Sequence, residues 1–243
     1  MHALLNSAEF VFTYIATHKI GCVNAPLNYR LSGGEIALLI DQSKPKALIY
    51  DAEFEKIISE ALRSVHHRPE IIIMADLNNE MDAPEGVVTY RDFVKDGSPE
   101  NPVRKDKPSI YDETTRFFTS GTTNLPKAVP VNDINEVLSA HDVIMHFPLS
   151  PKDVTMNLTP WFHRGGLHSG GPCPTLYIGG TMVILRDFTP RLALQYVSLY
   201  HITFLIGATC SAASRKPIPA TYRACTVSYS WALLSIRNPA SAT

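Results

Sequence analysis

The chain has 243 residues and few of the features that mark the more specialised protein classes. Its four cysteines, Cys22, Cys173, Cys210 and Cys225, lie far apart, with no Cys-x-x-Cys unit for zinc or redox work. Widely spaced thiols without a secretory leader read as reduced and predict a cytoplasmic protein. Charge is balanced as well: 22 Lys+Arg stand against 23 Asp+Glu, a net charge of −1. That excludes the basic bias expected of a protein held to nucleic acid or to an anionic membrane. The run nearest to a membrane span, residues 192–210, is broken by Gln195, Tyr200, His201 and two threonines. It predicts a buried helix followed by a buried strand. His163, His168 and Cys173 are conceivable metal ligands, but their glycine- and proline-rich setting lacks a zinc-site spacing, so no metal ligand is assigned. A Gly-x-x-x-x-Gly-Lys-Ser/Thr phosphate loop is missing too.

What the chain does have is an ordinary globular composition, 45% hydrophobic and 19% charged, long enough for one large domain or two small ones. Helix and strand signals alternate. Ser7 is a candidate cap for a helix ending at Gly21, and Cys22–Leu27 reads as a short buried strand stopped by Pro26. Ser32 with Glu35 makes a capping box for a helix over 33–42. Strands are predicted at 46–50 and 70–74 around a helix over 53–65. A polar, proline-rich stretch, 75–113, then carries only a short strand at 87–90 and a short helix at 90–95. Further on come a helix from about 133 to 145, a strand over 153–158, a strand starting near 180, a helix over 190–200 and a strand from about 201 to 207. The order predicts an α/β fold with mainly parallel sheets flanked by helices.

The most informative stretch is Phe117–Val129, Phe-Phe-Thr-Ser-Gly-Thr-Thr-Asn-Leu-Pro-Lys-Ala-Val. An apolar strand end runs into Thr119, Ser120, Gly121, Thr122 and Thr123, a loop of hydroxyls and backbone N–H groups suited to an anion, and Lys127 adds a positive charge. Read from the residues alone, a polar surface turn is the alternative. A second concentration, Trp161-Phe162-His163-Arg164-Gly165-Gly166-Leu167-His168, sets a histidine in a glycine turn that lets a ligand or a neighbouring helix approach the backbone. A histidine that only stabilises the turn is the alternative there.

Ser-Gly-Thr-Thr-x-x-Pro-Lys after an apolar pair resembles the phosphate-loop signature of the adenylate-forming superfamily, which includes acyl-CoA synthetases, with Asn124 and Ala128 where that family usually or often has glycine. Phe162-His163-x-x-Gly166 resembles its second motif, and Lys19–Leu31 resembles an early segment of the same family. The resemblance covers roughly residues 3–209 and implies an incomplete N-terminal domain of an acyl-CoA synthetase. By that likeness, Thr119, Ser120, Gly121, Thr122, Thr123 and Lys127 hold the β- and γ-phosphates of ATP, and His163 lies near the acyl carboxylate or the thiol channel. The implied reaction activates a fatty or aryl acid as an acyl-adenylate and passes it to coenzyme A, with Mg2+ neutralising the phosphates. Later motifs of the family, including its adenine, ribose and catalytic-lysine segments, have no counterpart here.

Residues 188–243 contain no acid, and 210–243 shows no clear period. This ending is expected to be an atypical tail from truncation or a frame change, against a native short variant, and the opening reads as cut into. Missing strands would leave sheet edges exposed, so self-association is expected. Three functions stay open: the N-terminal part of an acyl-CoA synthetase with impaired activity, a non-catalytic nucleotide-binding or interaction remnant of one, and an unrelated domain with a chance loop.

Overall fold

The computed structural model describes residues 1–78, 80–104, 106–119 and 126–207, together with the backbone of two strands over 223–227 and 233–237. It divides into two compact units, Met1–Asp133 and Ile134–Thr243.

The first unit is built on a four-stranded sheet of β1 (His2–Ala3), β2 (Ala47–Asp51), β3 (Ile71–Ala75) and β4 (Val88–Thr89), in that order and parallel throughout. Parallel neighbours need crossovers, which are supplied by α1 (Ala8–Ile20), α2 (Gly33–Ser43), α3 (Glu55–Ser64) and the chain between them. The helix starts are locally determined. The Ser7 hydroxyl accepts from the Phe10 amide at 3.1 Å, and Ser32 and Glu35 cap each other reciprocally. Leu39 and Ile40 of α2, Leu48 and Tyr50 of β2, Ile58 of α3 and Met74 of β3 close over one another as the core. A short α4 (Tyr90–Val94) follows β4, capped by Thr89.

The segment expected to be a strand at Cys22–Leu27 forms only two isolated bridges, Asn24 to Thr115 and Pro26 to His2. Asn24 turns its N–H and C=O to Thr114 and Arg116, whereas Ala25 and Leu27 bond to His2. The chain thus hands its hydrogen bonds from one neighbour to the other within two residues, and Pro26 has no N–H to continue a ladder.

His2 is fully buried, with Nε2 2.8 Å from the Asn24 Oδ1 and the ring edge-on to Phe10 at 4.7 Å. Burial, assisted by the Met1 ammonium and opposed by the Asn24 hydrogen bond, pushes its pKa from 6.5 down to about 3. The unfolded chain therefore binds a proton below pH 6.5 that the folded chain refuses. Stability is full above pH 6.5 and falls by about 1.4 kcal/mol per pH unit as the pH drops toward 3. Denaturant unfolding at pH 7 and pH 5 is expected to show about 2 kcal/mol more acid loss in the parent chain than in His2→Gln. Equal pH slopes in the two would refute this assignment.

After the polar stretch, β5 (Glu113–Thr119) and β6 (Lys127–Asn132) form an antiparallel hairpin that is a separate two-stranded sheet. β5 buries Thr115 and Phe117 on one face. Near its start Glu113 takes both Arg116 Nε and Nη2, at 2.6 and 2.5 Å.

The second unit runs α5 (Asp133–His146), β7 (Val154–Asn157), α6 (Arg164–His168), α7 (Pro172–Ile178), β8 (Thr181–Val183), α8 (Pro190–Leu199) and β9 (Phe204–Ile206). β7 pairs in parallel with both β8 and β9. Met156, Leu185, Ala193, Val197, Ile202 and Leu205 form one core cluster. The stretch expected to lack a period carries two strands, β10 (Arg223–Val227) and β11 (Leu233–Arg237), which add antiparallel to β9 in the order β10-β11-β9-β7-β8. Their short runs, Arg-Ala-Cys-Thr-Val and Leu-Leu-Ser-Ile-Arg, hold β-branched residues that suit strands but are too brief to show a period. Among the described residues, no helix is long and apolar enough to cross a membrane. Both sheets containing parallel strands are flanked by helices in sequence, as expected for the α/β class.

Candidate functional site

Of the residues assigned to the phosphates, the structure describes Thr119 and Lys127, whereas Ser120, Gly121, Thr122 and Thr123 lie outside the described residues. Thr119 ends β5 and Lys127 begins β6, and the ladder makes them direct cross-strand partners. Both are exposed. The ladder therefore sets Thr119 and Lys127 opposite each other, where β5 leads into the connecting segment and β6 leaves it, with one hydroxyl and one ammonium on neighbouring strands. Register here follows from the apolar residues below: Phe117, buried on one face, sits opposite Val129, and Phe118 opposite Ala128. From Thr114 to Asn132 the chain carries no acid. Glu113, the acid at the start of β5, is paired with Arg116, so the end of the hairpin at Thr119 and Lys127 offers a hydroxyl and a cation to an anion but no carboxylate to a metal.

The histidine motif lies in the second unit. β7 ends at Asn157, whose side chain ties down the chain on both sides. Its Oδ1 accepts from the Thr159 amide at 2.7 Å, and its Nδ2 donates to the Ser169 carbonyl at 3.1 Å. Trp161 is buried, and His163 follows as the exposed N-cap of α6. The Gly165 amide donates to His163 Nδ1 at 3.1 Å. With Nδ1 accepting, a neutral His163 carries its proton on Nε2, which makes that atom a hydrogen-bond donor. The capping role and a donor role toward a carboxylate are therefore compatible in one side chain, and the two alternatives read from sequence do not compete.

Two side chains one turn apart on α6 grip two on α5. Arg164 Nη2 donates to Ser139 Oγ at 3.1 Å, and His168 Nε2 meets Glu136 Oε2 in a short hydrogen bond. Residues i and i+4 of one helix thus clasp i and i+3 of the other. Glu136 and His168 are both buried, at 4% and 2% exposure, and the Cys173 thiol at the start of α7 lies 3.5 Å from the Glu136 carbonyl. His168 and Cys173, considered together in the sequence, do converge; His163 does not join them, and the third member is Glu136. Sequence reading passed over Glu136 because helices usually carry acids on their wet face. The available signal was its place in the apolar stripe 136, 140, 143, 147, where Ala140 is fully buried and Val143 and Phe147 pack in the core.

The glycines of this turn are set by contact. A Cβ on Gly166 would lie 2.0 Å from the Pro160 carbonyl oxygen, and one on Gly171 would lie 1.8 Å from that of Gly166.

Comparison with known proteins follows the same outline. A family model described as AMP-binding enzyme matches residues 2–211. The 4-hydroxybutyrate–CoA ligase 2 of Metallosphaera sedula is 28% identical over 207 residues, covering 84% of this chain and 37% of the ligase. A crotonobetaine/carnitine–CoA ligase of Salmonella paratyphi B is 28% identical over 200 residues, covering 82% of this chain and 38% of the ligase. The chain thus spans well under half the length of these curated relatives. Among solved structures, the anthranilate CoA ligase AuaEII in complex with anthranoyl-AMP superposes with a TM-score of 0.74 at 21% identity, over 84% of this chain and 39% of that one. At that identity the superposition establishes a shared fold.

Proposed function

The chain belongs to the AMP-binding enzyme family, and from that membership we propose that it carries the phosphate-holding and acid-facing segments of an acid–CoA ligase working through an acyl-adenylate. The observation that carries the reading is the ordered pair of motifs within the family match: Thr119 and Lys127 paired at the loop end of a hairpin, then His163 at the head of α6. Relatives named as CoA ligases support the thiol acceptor.

In such a reaction the substrate carboxylate attacks the α-phosphorus of ATP, pyrophosphate leaves, and the thiol of coenzyme A then displaces AMP from the acyl carbon. Thr119, Ser120, Gly121, Thr122, Thr123 and Lys127 hold the departing β- and γ-phosphates, so that charge accumulating on them meets donors already in place. His163 presents Nε2–H to the acid, orienting the carboxylate by a hydrogen bond while its other nitrogen stays locked by Gly165. The only acid of the hairpin, Glu113, sits at the far end of β5 from Thr119 and is paired with Arg116, so a magnesium ion on the phosphates would draw its protein ligand from elsewhere. A fatty or aryl acid can meet the half-buried Phe162 beside His163, whereas Trp161 and Leu167 are fully buried and support the turn from behind.

The test is binding. A non-hydrolysable acyl-adenylate mimic is expected to bind saturably and to be displaced by ATP. Loss of one charge-assisted contact is worth about 1.5–3 kcal/mol, so Lys127→Ala is expected to weaken ATP at least roughly tenfold. Lys152→Ala, in the turn before β7, should leave affinity unchanged. Binding of the mimic with no response to Lys127→Ala would remove Lys127 from the site. Failure of both ligands to bind would overturn the ligase reading for this chain.

A further inference from the structure

We propose that Glu136, His168 and Cys173 form a binding site for one zinc-like divalent cation in the second unit. The inference stands apart from the phosphate hairpin and from the histidine motif's chemistry. Three helices, α5, α6 and α7, each contribute one ligating group: a carboxylate oxygen, an imidazole nitrogen and a thiol sulfur. All three residues are buried, and their ligand atoms lie within 4.8 Å of one another. Sγ of Cys173 is 3.9 Å from Glu136 Oε2.

These distances are close to what a tetrahedral ion needs. With metal–ligand bonds of about 2.0–2.3 Å, two ligand atoms stand roughly 3.3–3.6 Å apart across a tetrahedral edge. The sulfur–oxygen separation already fits within a few tenths of an ångström. The Glu136–His168 contact is shorter than an edge, because without an ion between them the two groups hydrogen-bond directly. Opening it by about 1 Å, through rotation of the flexible glutamate side chain, admits the ion. A mixed nitrogen, sulfur and oxygen set selects a borderline-soft ion such as Zn2+ and disfavours Mg2+ or Ca2+, which take oxygen ligands. Three protein ligands leave a fourth position for water. Binding displaces the thiol proton, leaving a thiolate, and any proton shared by Glu136 and His168, so affinity rises with pH. The bound ion would clip α5, α6 and α7 together behind the turn that presents His163.

The chain as it stands, stripped with chelator and kept reduced, is titrated with Co2+. One equivalent is expected to give a thiolate-to-cobalt charge-transfer band and intense tetrahedral d–d bands, and Zn2+ should displace both. Cys173→Ser should abolish the charge-transfer band, while Cys22→Ser keeps it. Cys173→Ser must melt like the parent in chelator. If it does not, the parent itself supplies the readout: zinc should slow alkylation of Cys173 at least tenfold, read by peptide mass mapping, with Cys22 unaffected. Absence of the bands in the parent, their persistence in a folded Cys173→Ser chain, or equal alkylation of Cys173 with and without zinc would overturn the site.

Discussion

Gly166→Ala is expected to destabilise the chain by about 3–5 kcal/mol, at the upper end of what overpacking does. The added methyl would sit 2.0 Å from the Pro160 oxygen, 2.6 Å from its carbonyl carbon and 3.1 Å from the Trp161 Cα. All three obstacles are backbone, so no rotamer change relieves them; the strand-end turn has to move away from α6. That turn is itself fixed, on one side by Asn157 through Thr159 and on the other by buried Trp161. Gly171→Ala should behave alike, since its Cβ would meet the Gly166 oxygen at 1.8 Å. Gly34→Ala is the control. It lies in α2 with nothing within 4 Å of an added Cβ, and alanine there should stabilise by about 0.5–1 kcal/mol. Denaturant melts of the three variants should therefore split in sign. A Gly166→Ala chain with an unchanged midpoint would mean that the close approach of α6 to the turn is not part of the folded state. The expected consequence for binding is specific: displacing α6 displaces the cap, and with it His163.

Local chemistry made most of this architecture legible. Capping at Ser7 and Ser32 rests on one side chain and the amide three residues on, both inside a short window. The parallel strands β2 and β3 were readable as apolar runs between helices. The hairpin of β5 and β6 was signalled by an apolar pair followed in fixed order by hydroxyls, glycine and lysine. The segment at Cys22–Leu27 was misread as a strand because an apolar run ending in proline looks the same whether it has one partner or two. The strands Arg223–Val227 and Leu233–Arg237 were missed because runs of five residues carry too little periodic signal, even with the brief alternation of Leu234–Arg237. Glu136 escaped for a different reason. Its partners His168 and Cys173 come 32 and 37 residues later, and only the packing of α5 on α6 and α7 brings them together. A grouping of that kind is a property of tertiary structure, and no local window contains it.

The buried carboxylate–imidazole pair supplies the second large expected effect, and its sign depends on whether one partner or both are removed. In chelator, Glu136→Leu or His168→Leu alone is expected to cost about 3–5 kcal/mol, because the survivor remains in the interior without its counter-group. Glu136→Leu with His168→Leu should lie within about 1 kcal/mol of the parent, or above it, since two well-packed apolar groups avoid the desolvation that the polar pair incurs. Leucine is close to both residues in volume, so the comparison reads polarity more than packing. Urea melts of the parent, both single variants and the double variant close the cycle. Additive losses would show that Glu136 and His168 do not act as a pair. If the double variant is as stable as the parent, the acid and the imidazole are not kept for stability, since leucine would serve as well there. Two ligating groups at a place where apolar ones fold equally well then have a role other than folding, and the cation proposed between them and Cys173 supplies one. Zinc should then raise the melting temperature of the parent and leave that of the double variant unmoved, which ties the energetics of the pair to the ion it is proposed to hold.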